Sequence, residues 1–313
     1  MSRYDAADNT LAAEVDAIDV VGMSQSIIAY AGAGSAFAEG VPTTMGDRKG
    51  LLGRGAEVTF TDQDLDTAVA TPPDNQAFAP TARTYECTGK VADVVISQSA
   101  LADGRTSGRS VQDMVLVAGG NGYIKKFDAM CAATYLEATA STHEIGSSGD
   151  AVTASLINQA LRIIFSSGGK GRAFGVFGSS KYEEVMAIPG MQEKAIVGGR
   201  AGGIDLGPLS PDSPVVIRGW GGKLDIAFSD EIVSSSGLHN MIWSAGPDTP
   251  GLINKWHPLE DLGGSQPGKM MLDMEWNSKS RAIEMNFTTQ EVVQGYAGSA
   301  TANPWMVDVI SAV

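Results

Sequence analysis

Hydrophobic and polar positions change period several times along this chain, and each change marks an element. Met270, Leu272, Met274 and Trp276 alternate with more polar neighbours, NSKS makes a turn, and Ile283, Met285 and Phe287 alternate again. Residues 270–287 are therefore predicted to form an amphipathic hairpin with one buried face. From Ser110 to Ala140 the step is three or four instead. Val117, Gly120, Ile124, Phe127, Cys131, Thr134 and Ala138 fall on one face of a single long helix, with Asp113, Lys125, Lys126, Asp128 and Glu137 on others. Gly119, Gly120 and Gly122 weaken that helix by about 1 kcal/mol each relative to alanine, and imply a bend or another backbone packed close. A second helix, Ser155 to Phe165, turns Leu156, Ile157, Ala160, Leu161 and Ile164 inward and stops at Gly168. The strand RAFGVFG follows, then a helix opened by Ser180 with Glu183 as its capping-box partner and ended by Pro189-Gly190. Two further strands, PVVIRGW and KLDIAFSDEIV, follow, the second with Leu224, Ile226 and Phe228 alternating. Helices and strands mixed in this way predict an α+β chain containing a small α/β unit.

The N-terminal third reads differently. Residues 10–40 are Ala-rich with weak helical periodicity, as expected of an arm with one loose helix that docks on something else. A strand candidate at Glu57 to Asp62 leads into a tip containing Pro72, Pro73 and Pro80, and a second strand returns from Arg83 to about Ser97. The pair reads as a β-ribbon, which is marginal alone in water and needs a partner surface.

Composition narrows the function. Across 313 residues, 22 Lys and Arg against 36 Asp and Glu give a net charge of −14, the wrong sign for clustered phosphate contacts. The acidic N-terminus does not read as a signal peptide, and no run approaches the roughly 18 apolar residues of a membrane span. Cys87 and Cys131 are expected to be buried free thiols, with Cys131 packed on the helix face instead of acting as a nucleophile. Asp62, Asp64 and Asp66 begin like a calcium loop, but its sixth position is Thr67 and its twelfth Pro73, so an acidic patch is the better reading. His143, His239 and His257 lack metal-ligand spacing, and GGKGRAFGVFGSSK does not match a phosphate loop. Asp273 and Glu275, on the outer side of the Met-rich strand, leave room for a carboxylate-dependent hydrolase that could also use His143. No metal, cofactor or catalytic group is expected from these patterns.

The order of these parts resembles the major capsid proteins of tailed bacteriophages, with their Hong Kong 97-type capsid fold. GDRKGLLGRGAEVTFTD and RTYECTGKVADVVISQSAL look like the two legs of the family's extended loop (E-loop), and RSVQDMVLVAGGNGYIKKFDAMCAATYLEAT like its spine helix. SLINQALRIIFSSGGKGRAFGVFGSSKYEEVMAI resembles the start of its axial (A) domain, and GKMMLDMEWNSKSRAIEMNF its late strand pair. The resemblance implies an N-terminal arm over 1–45, an E-loop over 46–98 and a peripheral (P) domain with the spine helix over 99–148. An A-domain sharing strands with the P-domain would cover 149–267, and P-domain strands and a tail 268–313. It implies a non-enzymatic subunit that assembles as hexamers and pentamers into an icosahedral virion shell in the host cytoplasm. Its partners would be a separate scaffolding protein, a portal, in some cases a decoration protein, and enclosed DNA that is not read in sequence. Asp62, Asp64, Asp66, Pro72, Pro73, Phe78 and Arg83 become the expected intersubunit contacts of the E-loop, and Val117, Ile124, Phe127 and Cys131 the core face of the spine helix. A nanocompartment shell of the same fold, or a tail or baseplate protein, is the alternative within structural proteins.

Overall fold

Two β-sheets share one long helix. The computed structural model describes residues 12, 13, 15, 17–54, 81–106, 108–139, 141–188, 217–219, 224–232, 237–259, 269–295 and 303–313. In chain order these form α1 (Val20–Gly34), β1 (Thr43–Met45), β2 (Lys49–Arg54), β3 (Thr81–Glu86), β4 (Thr88–Ser97), α2 (Gln98–Thr106) and α3 (Val111–Ala138). Next come β5 (Glu144–Gly146), α4 (Ala154–Ser166), β6 (Ala173–Gly178), α5 (Tyr182–Met186), β7 (Ile217–Gly219), β8 (Leu224–Ser229) and β9 (Leu238–Gly246). The chain then adds β10 (Thr249–Pro250), β11 (Leu252–Trp256), β12 (Met270–Asn277), β13 (Ala282–Gly295) and β14 (Met306–Ser311).

The five-stranded sheet is organised by β13, which is long enough to take three antiparallel partners. β12 runs along one side, β4 lies opposite Ala282 to Glu291 on the other, and β11 continues from Glu291 to Gly295. β1 adds parallel to β11. The predicted hairpin is present with its apolar positions facing each other: Leu272 opposite Phe287, Met274 opposite Met285, Trp276 opposite Ile283. The seven-stranded sheet has the order β5-β14-β9-β6-β8-β7, with β10 on β9. The last strand of the 268–313 segment, β14, thus lies in this second sheet and not beside β12 and β13.

Helix α3 starts at a capping box not singled out in the sequence. The Ser110 hydroxyl accepts the Asp113 N–H at 3.0 Å, and the Asp113 carboxylate accepts the Ser110 N–H at 3.1 Å. Its first turns pack Val111 and Val115 against Ile27 of α1 and against Leu272, Met285 and Phe287 of the five-stranded sheet. Gly119 permits that approach, since a Cβ there would lie 2.8 Å from the Phe287 ring. The later turns pack Phe127, Cys131, Ala132, Tyr135 and Ala138 against Phe37, Phe174, Trp243 and Met306. Because the helix passes from one sheet to the other, its buried stripe rotates. Phe127 and Cys131 are buried, whereas Val117 and Ile124 lie at the edge, half-buried.

Three further expectations need correction. Strand β8 is not amphipathic: Asp225 is as buried as Leu224 and Ile226, because Arg172 pairs with it at 2.6 Å. Helix α5 does not use a Ser180–Glu183 box; it follows a 3-10 turn at Ser179–Lys181. Glu184 is the residue that bonds there, to Lys181 at 2.8 Å and the Val152 N–H at 2.9 Å. The ribbon pairs Lys49–Arg54 with Thr81–Glu86, nearer the sheet than expected, and residues 57–62 lie outside the described ones. The return leg breaks at Cys87, after which β4 leaves the ribbon and joins β13.

Candidate intersubunit surfaces

Among the described residues, ribbon β2–β3 is held at its root. Tyr85, Cys87, Leu52 and Ile253 form a small cluster of their own, with Val292 packed beside it. Gly50 makes room for it: a Cβ there would lie 2.7 Å from the Tyr85 ring. The Cys87 thiol points at the Lys255 carbonyl at 3.5 Å, and burial pushes its pKa up, so it stays a protonated thiol. Burial does the same to Cys131. Between the root residues Gly50 and Leu52 the ribbon exposes Leu51, and β1 exposes Met45. Arg83 stands opposite Leu52 in β3, while Asp62, Asp64, Asp66, Pro72, Pro73 and Phe78 lie outside the described residues.

A second surface is the open face of the five-stranded sheet. Register aligns Val91 with Thr288, Asp93 with Asn286 and Val95 with Glu284 on β4 and β13. On the far side of β13, Asp273 stands beside Asn286 and Glu275 beside Glu284. Val91 and Val95 are exposed, and Asn286 bonds Asp93 at 2.6 Å. This mixed apolar and acidic face bears a depression of about 230 Å³ between Asp93, Asp273, Glu275 and Glu284. Asp273 and Glu275, the candidate hydrolytic pair, therefore sit on an open sheet face and not in an enclosed pocket.

A cleft of about 630 Å³ runs between β4 and α3, with Val91, Val94, Gly119 and Phe287 on its walls and Lys90, Lys125 and Lys126 at its margins. None of the three histidines opens into it. His143 lies 3.1 Å from the Met306 carbonyl, His257 3.2 Å from that of Gly46, and His239 2.6 Å from Asp308 in the second sheet. Among the described residues no three His, Cys, Asp or Glu side chains gather as a metal site, and no helix is long and apolar enough to cross a membrane.

The contact that fastens the arm was not legible in the sequence. After α1 the chain turns at Ser35, whose hydroxyl donates to the Asp128 carboxylate, while the Ala36 N–H donates to its other oxygen at 3.3 Å. Asp128 is buried, and loss of water pushes its carboxyl up to about 6 despite these bonds, with Glu231 adding in the same direction. From this anchor Phe37 stacks on Trp243 with ring centroids 5.8 Å apart, and the Trp243 indole donates to the Gly40 carbonyl at 2.8 Å. The arm is thus part of the chain's core from Ser35 to Val41.

No protein-family model matches the sequence, and no curated protein matches it. Solved structures do match the arrangement of its elements. A structure of Microbacterium phage Oxtober96 aligns with 89% of this chain and 91% of its own at TM-score 0.57 and 12% identity. The mature capsid of bacteriophage PhiM1 aligns over 88% and 87% at TM-score 0.50 and 10% identity. The chain has the Hong Kong 97-type capsid fold. The holo-SrpI encapsulin complex from Synechococcus elongatus shares that fold with it, over 86% of this chain and 84% of its own, at TM-score 0.52 and 10% identity. At such identities the likeness is one of backbone path. The ribbon and the open sheet face of this fold carry exposed apolar side chains, Leu51, Val91 and Val95.

Proposed function

We propose that this chain is a major capsid protein, the non-enzymatic structural subunit of an icosahedral shell enclosing the double-stranded DNA of a tailed bacteriophage. The observation that carries the reading is the ribbon. Two strands anchored by a four-residue cluster, with Leu51 exposed on them, are not a stable unit in isolation, and among the described residues no further surface completes them. In a closed shell each subunit supplies that surface to the next, as repeated heterologous contacts require. In this reading residues 1–45 are the arm, 46–98 the E-loop, 99–148 the P-domain with α3 as spine helix, 149–267 the A-domain, and 268–313 late strands and tail. Asp62, Asp64, Asp66, Pro72, Pro73, Phe78 and Arg83 carry intersubunit contacts. Subunits gather as hexamers and pentamers around a portal with a separate scaffolding protein, with or without a decoration protein. The net charge of −14 suits a shell that must not hold packaged DNA.

The fold shared with the SrpI encapsulin supports a second reading, a nanocompartment shell enclosing protein cargo. Negative-stain electron microscopy of the protein, expressed alone and with its neighbouring genes, tests both. Closed polyhedral particles are expected, and co-purifying DNA or a cargo enzyme separates the two readings. A dispersed monomer under both conditions overturns both.

A further inference from the structure

We propose that the outer edge of β4, with the cleft beneath it, is a docking site for an extended acidic segment of a partner protein, which adds to the five-stranded sheet as a further strand. β4 is ten residues long and pairs with β13 on one side. Two hydrogen bonds show which of its backbone groups point the other way. The Gln98 N–H, one step past β4, donates to the Arg281 carbonyl at 2.9 Å, so by alternation the even-numbered residues of β4 turn their backbone groups to β13. The Cys87 N–H, one step before β4, donates at 2.8 Å to the Arg48 carbonyl, on the opposite side. The N–H and C=O groups of Gly89, Val91, Asp93 and Val95 therefore line the outer edge, and among the described residues no strand pairs with them. Proteins blunt a bare edge of this length with proline, a bulge or a covering element. β4 contains no proline, and its register with β13 runs from Thr88 to Ser97 without a bulge.

The second observation is the space under this edge. Even-numbered side chains of β4 point inward, yet Ala92, opposite Phe287, is exposed, because α3 there leaves this sheet for the other one. The cleft of about 630 Å³ opens below it, and on the helix side Gly122 leaves it unfilled, since a Cβ there would meet nothing within 4 Å. A strand laid along the edge turns every second side chain into this cleft. Main-chain hydrogen bonds then supply affinity, and the cleft supplies specificity.

Charge selects the occupant. Lys90, Lys125 and Lys126 line the cleft, and the one acid lining it among the described residues, Glu231, already lies 3.9 Å from Lys125. In a chain of net charge −14 this is a local excess of cations. The lysines gather at the Thr88 end of β4: Tyr123, two residues before Lys125, bonds Glu291, which stands opposite Thr88. The occupant is therefore a segment that turns a carboxylate inward at that end and apolar side chains inward beside Val94 and Phe287. A second copy pairing β4 to β4 does not meet this requirement. Its inward positions are Lys90, Ala92, Val94 and Ile96, which bring lysines to both clefts and no carboxylate to either. The site stands on the edge and the cleft alone, so it does not depend on whether the protein builds a shell.

Fluorescence anisotropy of the full chain with a labelled probe peptide tests the proposal. The probe alternates threonine and valine and ends in aspartate on both sides, so that either strand direction brings a carboxylate to the lysines; a control peptide ends in lysine instead. Saturable binding of the aspartate probe is expected, with affinity lower by about tenfold for the control and for Lys90→Glu combined with Lys126→Glu. Val91→Pro removes an outward N–H and leaves the β13 pairing in place, so it is expected to abolish binding with unchanged circular dichroism. Amide exchange decides the site without any variant: the Gly89, Val91, Asp93 and Val95 amides are expected to slow when the probe is bound. No binding, equal binding of both peptides, or slowed exchange confined to other residues overturns the site. A peptide of this chain's own residues 57–66 binding more tightly than the probe makes a second copy the occupant and overturns the assignment to a partner protein.

Discussion

The two sheets of this protein are finished differently. Every residue of β6 is buried and β8 is buried on both faces, whereas no residue of β4 is fully buried. The seven-stranded sheet has α4 and α5 against one face and the later turns of α3 against the other. The five-stranded sheet has α1 and α3 on one face and, among the described residues, nothing on the other. Among the described residues, one sheet is therefore covered on both faces and the other on one. Stability and assembly should then separate by sheet.

The sharpest way to break this comparison is Trp243→Ala. Trp243 is wholly enclosed among Phe37, Tyr135 and Phe174, and its truncation is expected to cost about 3–5 kcal/mol in chemical denaturation. Met274→Ala in the half-covered hairpin is expected to cost clearly less, since its side chain is only partly buried. Equal losses would show that the two sheets are not differently finished.

Next in size is a pH effect at the arm anchor. The Asp128 carboxyl is pushed up to about 6 by burial, against about 3.9 in an unfolded chain. The fold thus favours the neutral acid. Its contribution is complete below about pH 4 and is lost as pH rises through about 6, a change on the order of 3 kcal/mol. Asp128→Asn stays neutral throughout, so the stability of wild type relative to the variant is expected to fall across that window. Using the difference matters because Glu184, whose carboxyl is held below its usual value by Lys181 and the Val152 N–H, slopes the other way. A flat difference would detach the arm anchor from this titration.

A smaller effect is expected inside the seven-stranded sheet. The Tyr135 hydroxyl lies 2.5 Å from the Val307 carbonyl and accepts the Ile242 N–H at 3.0 Å, linking α3 to β14 and β9. Tyr135→Phe leaves those groups without that partner and is expected to cost about 1–3 kcal/mol by denaturation.

Sequence patterns reached the hairpin, the long helix, Ala154–Ser166 and the presence of a ribbon, because each repeats one period against one neighbour. They failed where a segment changes neighbours. The stretch 83–97 reads as one strand, but its partner switches from β2 to β13 at Cys87, and alternation carries no record of that switch. The α3 stripe was placed through Val117 and Ile124 because a single face was assumed, whereas the helix serves two sheets in turn. Asp225 made β8 look half-solvated, since a buried ion pair to Arg172 is invisible in one strand's sequence.

The smallest effect on stability should be the largest on assembly. Val91 and Val95 are 63% and 62% exposed on the open face of β4, and Leu51 is 67% exposed on the ribbon. Threonine keeps the β-branched shape that suits a strand, so Val91→Thr with Val95→Thr removes apolar surface without disturbing the backbone. Unfolding is expected to shift by no more than about 0.5 kcal/mol, as for surface substitutions generally. Leu51→Ser should behave alike, since Leu52, not Leu51, is the ribbon residue buried in the root cluster. Sedimentation of assembled material is expected to fall for both variants while the subunit stays folded. Unfolding losses approaching that of Trp243→Ala would mean that these side chains are covered within the subunit after all; unchanged assembly with unchanged stability would mean that neighbours meet elsewhere.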